Sequence, residues 1–525
     1  IRMIYLSIGN IKTTYGQKGV FIMFQHVSKV FYIAITFSLL FILWGIIPSE
    51  TWPNWNLNSV TSNIQSFIVE KFGWFYLLSA TAFLIFAIFL IVSKYGNIVL
   101  GKDNDKPEYS YLTWFGMLFS AGMGIGLVFW GVAEPISHFH NPPTPGAEGA
   151  VAAKIAMRYS FFHWGLHPWA IYAILGLALA YFQFRKDSPG LISSILTPLF
   201  GDKMKGGLGT LVDFIAVFAT IFGVATSLGL GAQQISGGLN YLFDGISGGF
   251  QLQLIIIVVV TILFLLSAMT GLNKGIKYLS TTNIVLAIIL MLFVLFIGPT
   301  NFIMDLFTTT LGSYLQNLPS MSFRMTPFDT NSTWVQDWTI FYWAWWIAWA
   351  PFVGTFIARV SRGRTVREFT VGVLLVPTIF GALWFSVFGG AGIWLEFAQG
   401  KDLISVVSEM GTEIALFSML AEYPFAILSS LLGILLICTF FITSADSATF
   451  VLGMQTTHGD LNPHNSVKFL WGIVQSGAAT VLLWQGGLNA LQTASIIAAF
   501  PFTIVLILVI FAILKCFDDE AKHYV

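Results

Sequence analysis

Long apolar runs separated by short polar segments dominate the pattern of this chain. A helix that spans a bilayer needs about 20 mostly apolar residues, and the sequence contains twelve such runs. They lie at about 29–47, 74–93, 111–132, 160–183, 211–234, 251–269, 279–298, 338–358, 369–390, 424–452, 466–484 and 489–515. The pattern therefore predicts an all-α membrane protein with twelve transmembrane helices. Its expected partner is a lipid bilayer.

The composition supports this class of protein. Of the 525 residues, 56% are hydrophobic and 10% are charged, whereas soluble domains carry about 25% charged residues. The 25 basic and 25 acidic residues cancel without forming like-charge blocks, so no nucleic-acid partner is expected. Cys438 and Cys516 are the only cysteines and cannot build a disulfide framework or a four-cysteine metal site. We expect no cofactor.

The basic residues predict the orientation of the helices. An even number of spans places both termini on one side, and Lys and Arg concentrate in cytoplasmic loops. All 25 of them lie in the termini and even-numbered loops except Lys71, Lys154, Arg158, Arg324 and Lys401. We therefore expect a multi-pass protein of the cell membrane with both termini cytoplasmic. Anionic lipids are candidate partners for the basic loop from Arg359 to Arg367.

The polar segments divide the chain into regions. Residues 1–22 are interpreted as a flexible or non-native N-terminal extension, because Met23 leads directly into the first run. The segment from Asn301 to Met325 has apolar residues at helical spacing and predicts an amphipathic helix on the outer surface. The regions that follow are two peripheral helices (23–109), a first group of five (110–300), the outer helix and loop (301–337), a second group of five (338–515) and a short cytoplasmic tail (516–525).

Three predicted spans contain residues that disfavour a regular helix. The third carries Gly122, Gly124 and Gly126, the eighth carries Pro351, and the tenth carries a hydroxyl-rich stretch at 439–447. Irregular backbone within a bilayer is tolerated where it is buried in protein or lines a cavity, so we expect these segments to meet around a central site. Spans three and eight begin successive groups of five, which is typical of inverted-repeat transporters. Alternatively, the glycines are close-packing surfaces.

Aromatic residues are concentrated in the eighth span and in the fourth. Trp345 and Trp349 are four residues apart and share a helix face, and Trp169 and Tyr172 are three apart. A pocket of ring faces without an acidic residue binds quaternary ammonium through cation–π attraction, which contributes about 2 kcal/mol or more when desolvated. A packed aromatic core is the alternative interpretation.

Two long motifs identify a family. The runs from Gly122 to Pro135 (GMGIGLVFWGVAEP) and from Trp338 to Glu368 (WTIFYWAWWIAWAPFVGTFIARVSRGRTVRE) resemble the signature segments of the betaine/choline/carnitine transporter family. The resemblance extends over most of the chain from Met23 onward. It implies a LeuT-type inverted-repeat core formed by spans three to seven and eight to twelve, two additional N-terminal helices, and a homotrimer.

The resemblance also implies a substrate site. The residues that match the family's aromatic box around the trimethylammonium group are Trp164, Trp169, Tyr172 and Trp346. Trp349 would lie beside the pathway, with Phe341 and Trp345 as neighbours. The amides of the segment containing Gly122, Gly124 and Gly126 would face a substrate carboxylate.

Sodium sites are implied in the same way. One site matches the backbone carbonyls of Ser120, Met123 and Phe440 with the hydroxyls of Thr443 and Ser444, and oxygen ligands suit a hard cation. A second family site matches Thr220 and Phe352. Val224 occupies the position where the family site has a hydroxyl side chain, so the second site is a weaker expectation.

The resemblance thus implies a sodium-coupled symporter that imports the osmoprotectant glycine betaine by alternating access. Choline transporters of the family that resemble this chain have Asp at the position of Gly126, and glycine there favours a zwitterion. A choline or carnitine transporter and a passive channel remain alternatives. No phosphate-binding G-x-x-x-x-G-K-[ST] loop occurs, and no enzyme is expected: His163 and His167 are four residues apart without a third metal ligand nearby.

Overall fold

The computed structural model describes residues 26–122, 124–270, 275–329 and 332–523. Regular structure in these residues is helical, apart from one antiparallel β-bridge between Val99 and Thr365. Ten helices within the same ranges are long and apolar enough to cross a membrane. The predicted class, an all-α membrane protein, is confirmed. The N-terminal extension, residues 1–22, lies outside the described residues.

The described residues up to position 297 form nine helices of at least twelve residues. They are α1 Lys29–Ile46, α2 Leu57–Val92, α3 Tyr111–Gly122, α4 Ile125–His140, α5 Gly149–Trp164, α6 Leu166–Ala180, α7 Gly207–Leu242, α8 Phe250–Thr270 and α9 Gly275–Ile297. A π-helical turn, Tyr181–Arg185, extends α6, and short turns at Lys94–Asn97, Ile192–Ile195, Thr197–Phe200 and Gly201–Lys205 join the longer elements.

The part of the chain described from position 300 onward contains seven further helices. They are α10 Thr300–Ser322, α11 Phe341–Arg359, α12 Val366–Ile393, α13 Leu403–Met410, α14 Ala415–Ala421, α15 Ala426–Thr456 and α16 Asn465–His523. Shorter turns at Val335–Ile340, Trp394–Ala398 and Thr412–Ile414 complete the regular structure. Helix α10 forms where the amphipathic outer helix was predicted. Residues 516–523 continue α16 as helix.

Local sequence sets several helix ends. The side chain of Asn56 accepts a hydrogen bond from the Ser59 N–H at the start of α2. Thr365 and Glu368 form a reciprocal capping box at the start of α12. These side chains satisfy N–H groups that a first helical turn leaves without a backbone partner.

The ten long helices and the twelve predicted spans differ because one predicted span is divided and two others are joined in one helix. Span three is divided into α3 and α4, with Gly124 extended at φ −147° and ψ −174°. The 59-residue α16 covers predicted spans eleven and twelve and contains non-helical backbone at Gly487, where φ is 56°. The number of membrane crossings itself stays a prediction.

The other predicted irregularities are wrong in part. Helix α11 runs through Pro351, and α15 is continuous through the hydroxyl-rich stretch. The hydroxyls of Thr439 and Thr443 donate to carbonyls of the preceding turn at 3.0 Å, so they are satisfied within the helix and do not unwind it. A proline removes only one intrahelical bond, and the packing around α11 is sufficient to keep it helical.

Helix α11 lies at the centre of the molecule. Every residue from Phe341 to Thr355 is buried. A Cβ added to Gly223 of α7 would lie 2.9 Å from the carbonyl carbon of Ala348, and one added to Gly354 would lie 3.2 Å from the backbone nitrogen of Gly176 in α6. Small residues therefore let α6 and α7 approach the central helix closely.

Candidate functional site

Four aromatic residues from three helices form a continuous buried cluster. The ring of Trp164, at the end of α5, is 4.8 Å from that of Trp346 in α11, and the two meet edge to face. The Trp346 ring is 6.3 Å from Tyr172 in α6, which is 5.4 Å from Trp169. All four side chains are buried. The structure thus brings together the four residues of the predicted aromatic box.

Three further predicted residues continue this cluster along α11. Trp345 stacks on Trp346 at 4.8 Å and on Phe341 at 5.6 Å. The ring of Trp349 is 6.4 Å from that of Trp345. The indole N–H groups of Trp345 and Trp349 and the hydroxyl of Tyr172 are buried without a hydrogen-bond partner among the described residues. Such groups suit a polar ligand, because an unpaired buried donor is costly.

The helix break in span three borders the same rings. A Cβ added to Gly126 would lie 2.4 Å from Cη2 of Trp345 and 3.2 Å from Cη2 of Trp164, and one added to Gly124 would lie 3.2 Å from Cη2 of Trp349. Both glycines therefore also serve as close-packing surfaces, as the alternative interpretation had it. Gly122 is described only as the last residue of α3.

An acidic residue lies against the cluster, which sequence reasoning missed. One oxygen of Glu134 in α4 accepts from the indole N–H of Trp164 at 2.7 Å and from the hydroxyl of Tyr342 at 2.6 Å. The other oxygen is 2.7 Å from Nδ1 of His163 and 3.1 Å from Nε2 of His138. The prediction of a site without an acid is therefore wrong. Glu134 lies in the GVAEP end of the first family motif. Its place in that motif was the sequence signal that could have pointed to it.

The two histidines of span four have separate surroundings. The helix is interrupted at Gly165 between α5 and α6, so His163 and His167, although four residues apart, do not share a continuous helix face. His167 stacks on Trp343 at 5.1 Å, and its Nε2 is 3.1 Å from the Ser322 hydroxyl.

Glu134, His138 and His163 have the residue types of a metal site. Their ligand atoms lie within 4.8 Å of one another, the one such group in the described part of the chain. The carboxylate oxygens already face indole, phenol and imidazole donors. Hydrogen bonding accounts for this group, and we assign no metal to it.

The predicted sodium ligands are described in part. Met123 lies outside the described residues, and Ser120 is described only as part of α3. The Thr443 hydroxyl donates to the Thr439 carbonyl and lies 2.9 Å from the amide nitrogen of Asn283. Phe440 is buried and Ser444 half-buried.

Helix packing brings parts of predicted spans three and ten close together. A Cβ added to Gly231 would meet Cδ1 of Ile125 at 2.9 Å and Cδ1 of Phe441 at 3.1 Å, so the start of α4 and the middle of α15 meet at α7. Of the predicted second site, Thr220 donates to the Ala216 carbonyl at 2.8 Å, and the Phe352 ring is 5.5 Å from Trp349.

A buried aromatic site between the broken helices of a multi-pass membrane protein is typical of a transporter of organic cations or zwitterions. The chain belongs to the BCCT family, the betaine/carnitine/choline family of transporters: the sequence model of that family matches residues 29–522. The resemblance found in the two motifs is confirmed.

Individual relatives match along almost their whole length. The chain is 56% identical to the glycine betaine transporter OpuD of Bacillus subtilis (strain 168), over 95% of this chain and 96% of the relative. It is 47% identical to a probable glycine betaine transporter of Desulfitobacterium hafniense (strain Y51), over 94% and 98%. It is 46% identical to the ectoine/hydroxyectoine transporter of Virgibacillus pantothenticus, over 94% and 97%.

Proposed function

We propose that this protein is a sodium-coupled symporter that imports glycine betaine as an osmoprotectant by alternating access. The observation that carries the proposal is the continuous ring cluster of Trp164, Trp346, Tyr172 and Trp169. Ring faces attract a trimethylammonium group, and the unpaired N–H groups of Trp345 and Trp349 suit a carboxylate. A zwitterion such as glycine betaine has both groups. Membership in a transporter family implies transport rather than catalysis.

The coupling ion is proposed to bind where α4 and α15 approach each other. Its ligands would be the carbonyls of Ser120, Met123 and Phe440 with the hydroxyls of Thr443 and Ser444. Thr220 and Phe352 lie on helices that pack together at Gly223 and are candidates for a second sodium. We further propose a LeuT-type core, a homotrimer, and a cell-membrane location with cytoplasmic termini.

Ectoine is a second candidate substrate, because one relative with 46% identity is named an ectoine/hydroxyectoine transporter. Ectoine also carries a delocalised cation and a carboxylate, so both ends of the proposed site apply to it. Choline has no carboxylate, and its single neutral hydroxyl is a weaker acceptor for the two indole donors than a carboxylate is.

Uptake of radiolabelled glycine betaine into proteoliposomes tests the function. We expect accumulation against a gradient that requires inward sodium, survives proton uncoupling, and is inhibited by ectoine more than by choline. Trp346→Ala should raise the KM about 30-fold, because a desolvated cation–π contact of about 2 kcal/mol is lost. Trp55→Ala is the control, since Trp55 is 74% exposed. Equilibrating uptake without sodium would indicate a channel.

A further inference from the structure

Glu134 is fully buried and has four hydrogen-bond neighbours. The residue is 0% exposed, and a buried carboxylate is costly unless it is hydrogen-bonded. Two donors face each of its oxygens, at 2.6 Å and 2.7 Å on one and at 2.7 Å and 3.1 Å on the other. An ionised carboxylate accepts about four hydrogen bonds. The four neighbours therefore saturate it.

The bonding pattern also assigns the state of His163. When Nδ1 of His163 donates to Glu134, its Nε2 is free to accept, and the Thr339 hydroxyl lies 3.0 Å from that nitrogen. The tautomer follows from this pattern of partners. Thr339, His163 and Glu134 thus form one chain of hydrogen bonds that links the turn before α11 with α5 and α4.

Two of the three indoles of the aromatic box, those of Trp164 and Trp346, are attached to this chain. The N–H of Trp164 donates to Glu134 directly. The N–H of Trp346 donates to the backbone carbonyl of His163 at 2.9 Å, and the His163 ring is held by Glu134. Each indole therefore has its N–H edge fixed, which sets the direction of its ring face.

We propose that Glu134 is a positioning residue for the substrate site: by accepting hydrogen bonds it holds the ring of Trp164 directly, and it anchors the side chain of His163, the residue whose backbone carbonyl accepts from Trp346. This inference rests on the proposed function, because it assumes that the two rings bind the trimethylammonium group. Rings that are held in place before binding lose less conformational entropy when the substrate arrives. The carboxylate does not need to contact the substrate to act in this way.

Two substitutions separate hydrogen-bond acceptance from charge. The amide oxygen in Glu134→Gln still accepts from Trp164 and Tyr342, and its NH₂ group donates to His138 and His163 if both imidazoles change tautomer. Glu134→Ala leaves the Trp164 and Tyr342 donors unpaired. We expect E134A to raise the KM for glycine betaine about tenfold with Vmax within threefold of wild type, and E134Q to keep both within threefold.

A matched control comes from another buried carboxylate. Asp213 of α7 accepts from the Ser193 backbone N–H and hydroxyl at 2.8 Å and 2.7 Å, away from the aromatic cluster. Asp213→Asn should leave the KM unchanged. If E134A does not reconstitute, Glu134→Asp shortens the acceptor by one methylene and should raise the KM while E134Q does not.

A spectroscopic measurement reports ring position without transport. In protein labelled with 5-fluorotryptophan, the ¹⁹F resonance that Trp164→Phe removes should shift or broaden in E134A, or in E134D, and stay in place in E134Q. An unchanged resonance and KM in E134A would overturn the inference, and so would an E134Q that behaves like E134A, because charge would then be the active feature. Wild-type protein that takes up no glycine betaine would refute the proposed function, while the ¹⁹F comparison would still decide the role of Glu134.

Discussion

At the scale of single residues, Gly126 shows how an absent side chain shapes the site. A Cβ there would lie 2.4 Å from the Trp345 ring, closer than packed atoms approach. Any larger residue must therefore displace Trp345, which stacks on Trp346. Glycine at position 126 therefore has a steric reason, in addition to the charge argument that glycine rather than aspartate suits a zwitterionic substrate.

We expect Gly126→Ala to raise the KM for glycine betaine about tenfold or more. The reason is that displacement of Trp345 also displaces Trp346, the residue of the aromatic box on which it stacks. Gly116→Ala in α3 is the control, since nothing lies within 4 Å of a Cβ at that position. Initial uptake rates over a range of substrate concentrations give both constants. Equal KM values in the two variants would contradict the steric argument.

At the scale of elements, breaks at glycine organise the site. Between α5 and α6, a Cβ on Gly165 would lie 2.5 Å from the Phe161 carbonyl oxygen and 2.8 Å from the Tyr314 hydroxyl. That hydroxyl accepts from the Leu166 N–H at 3.0 Å, so the outer helix α10 supplies a partner to the first turn of α6. The break brings Trp164, on one side of it, and Trp169, on the other, into the same cluster.

Gly165→Ala should therefore destabilise the protein by about 1–3 kcal/mol, the usual cost of overpacking. The comparison is Gly312→Ala in α10, where a Cβ meets nothing within 4 Å and alanine favours the helix by about 1 kcal/mol. Thermal unfolding in detergent measures both. The argument fails if G165A unfolds at or above the wild-type temperature.

At the scale of the whole molecule, ionic contacts tie the end of α16 to the first half of the chain. Glu520 accepts from Arg185 at 2.7 Å and from Lys186 at 2.6 Å, and the Tyr181 hydroxyl also donates to it. Tyr95 donates to Asp518. The segment around Tyr95 in turn continues to Leu100, whose N–H donates to the Arg364 carbonyl at 2.8 Å. Four distant regions of sequence thus meet at one end of the bundle.

Removing the carboxylate of Glu520, which accepts from Arg185, Lys186 and Tyr181, should lower the stability of the whole protein. We expect Glu520→Gln to cost about 2 kcal/mol, the contribution of a hydrogen bond to a charged group, because Glu520 and Arg185 are about one-tenth exposed. Asp202→Asn is the comparison: its ion pair with Lys205 is largely exposed and should contribute nothing measurable. The unfolding temperatures of the two variants decide the matter, and equal values would show that the contacts of Glu520 are not stabilising.

Several features were predictable from short stretches of sequence. The break at Gly124 follows from three glycines in five residues, and the placement of Trp345 and Trp349 on one face follows from helical spacing. The continuity of α11 through Pro351 was not predictable in this way, because it depends on the neighbours that surround the helix. The surroundings of Glu134 were missed because its partner Tyr342 lies 208 positions away.

The sequence by itself determined the class of protein. An apolar run in a bilayer must satisfy its backbone internally, so a long run of this kind becomes a helix whatever its neighbours are. It also supplied the aromatic residues and the family motifs. Tertiary structure alone decided which rings face one another, which glycine has room for a side chain, and which donors surround a buried acid. Those properties depend on contacts between helices far apart in the chain, and no local pattern encodes them.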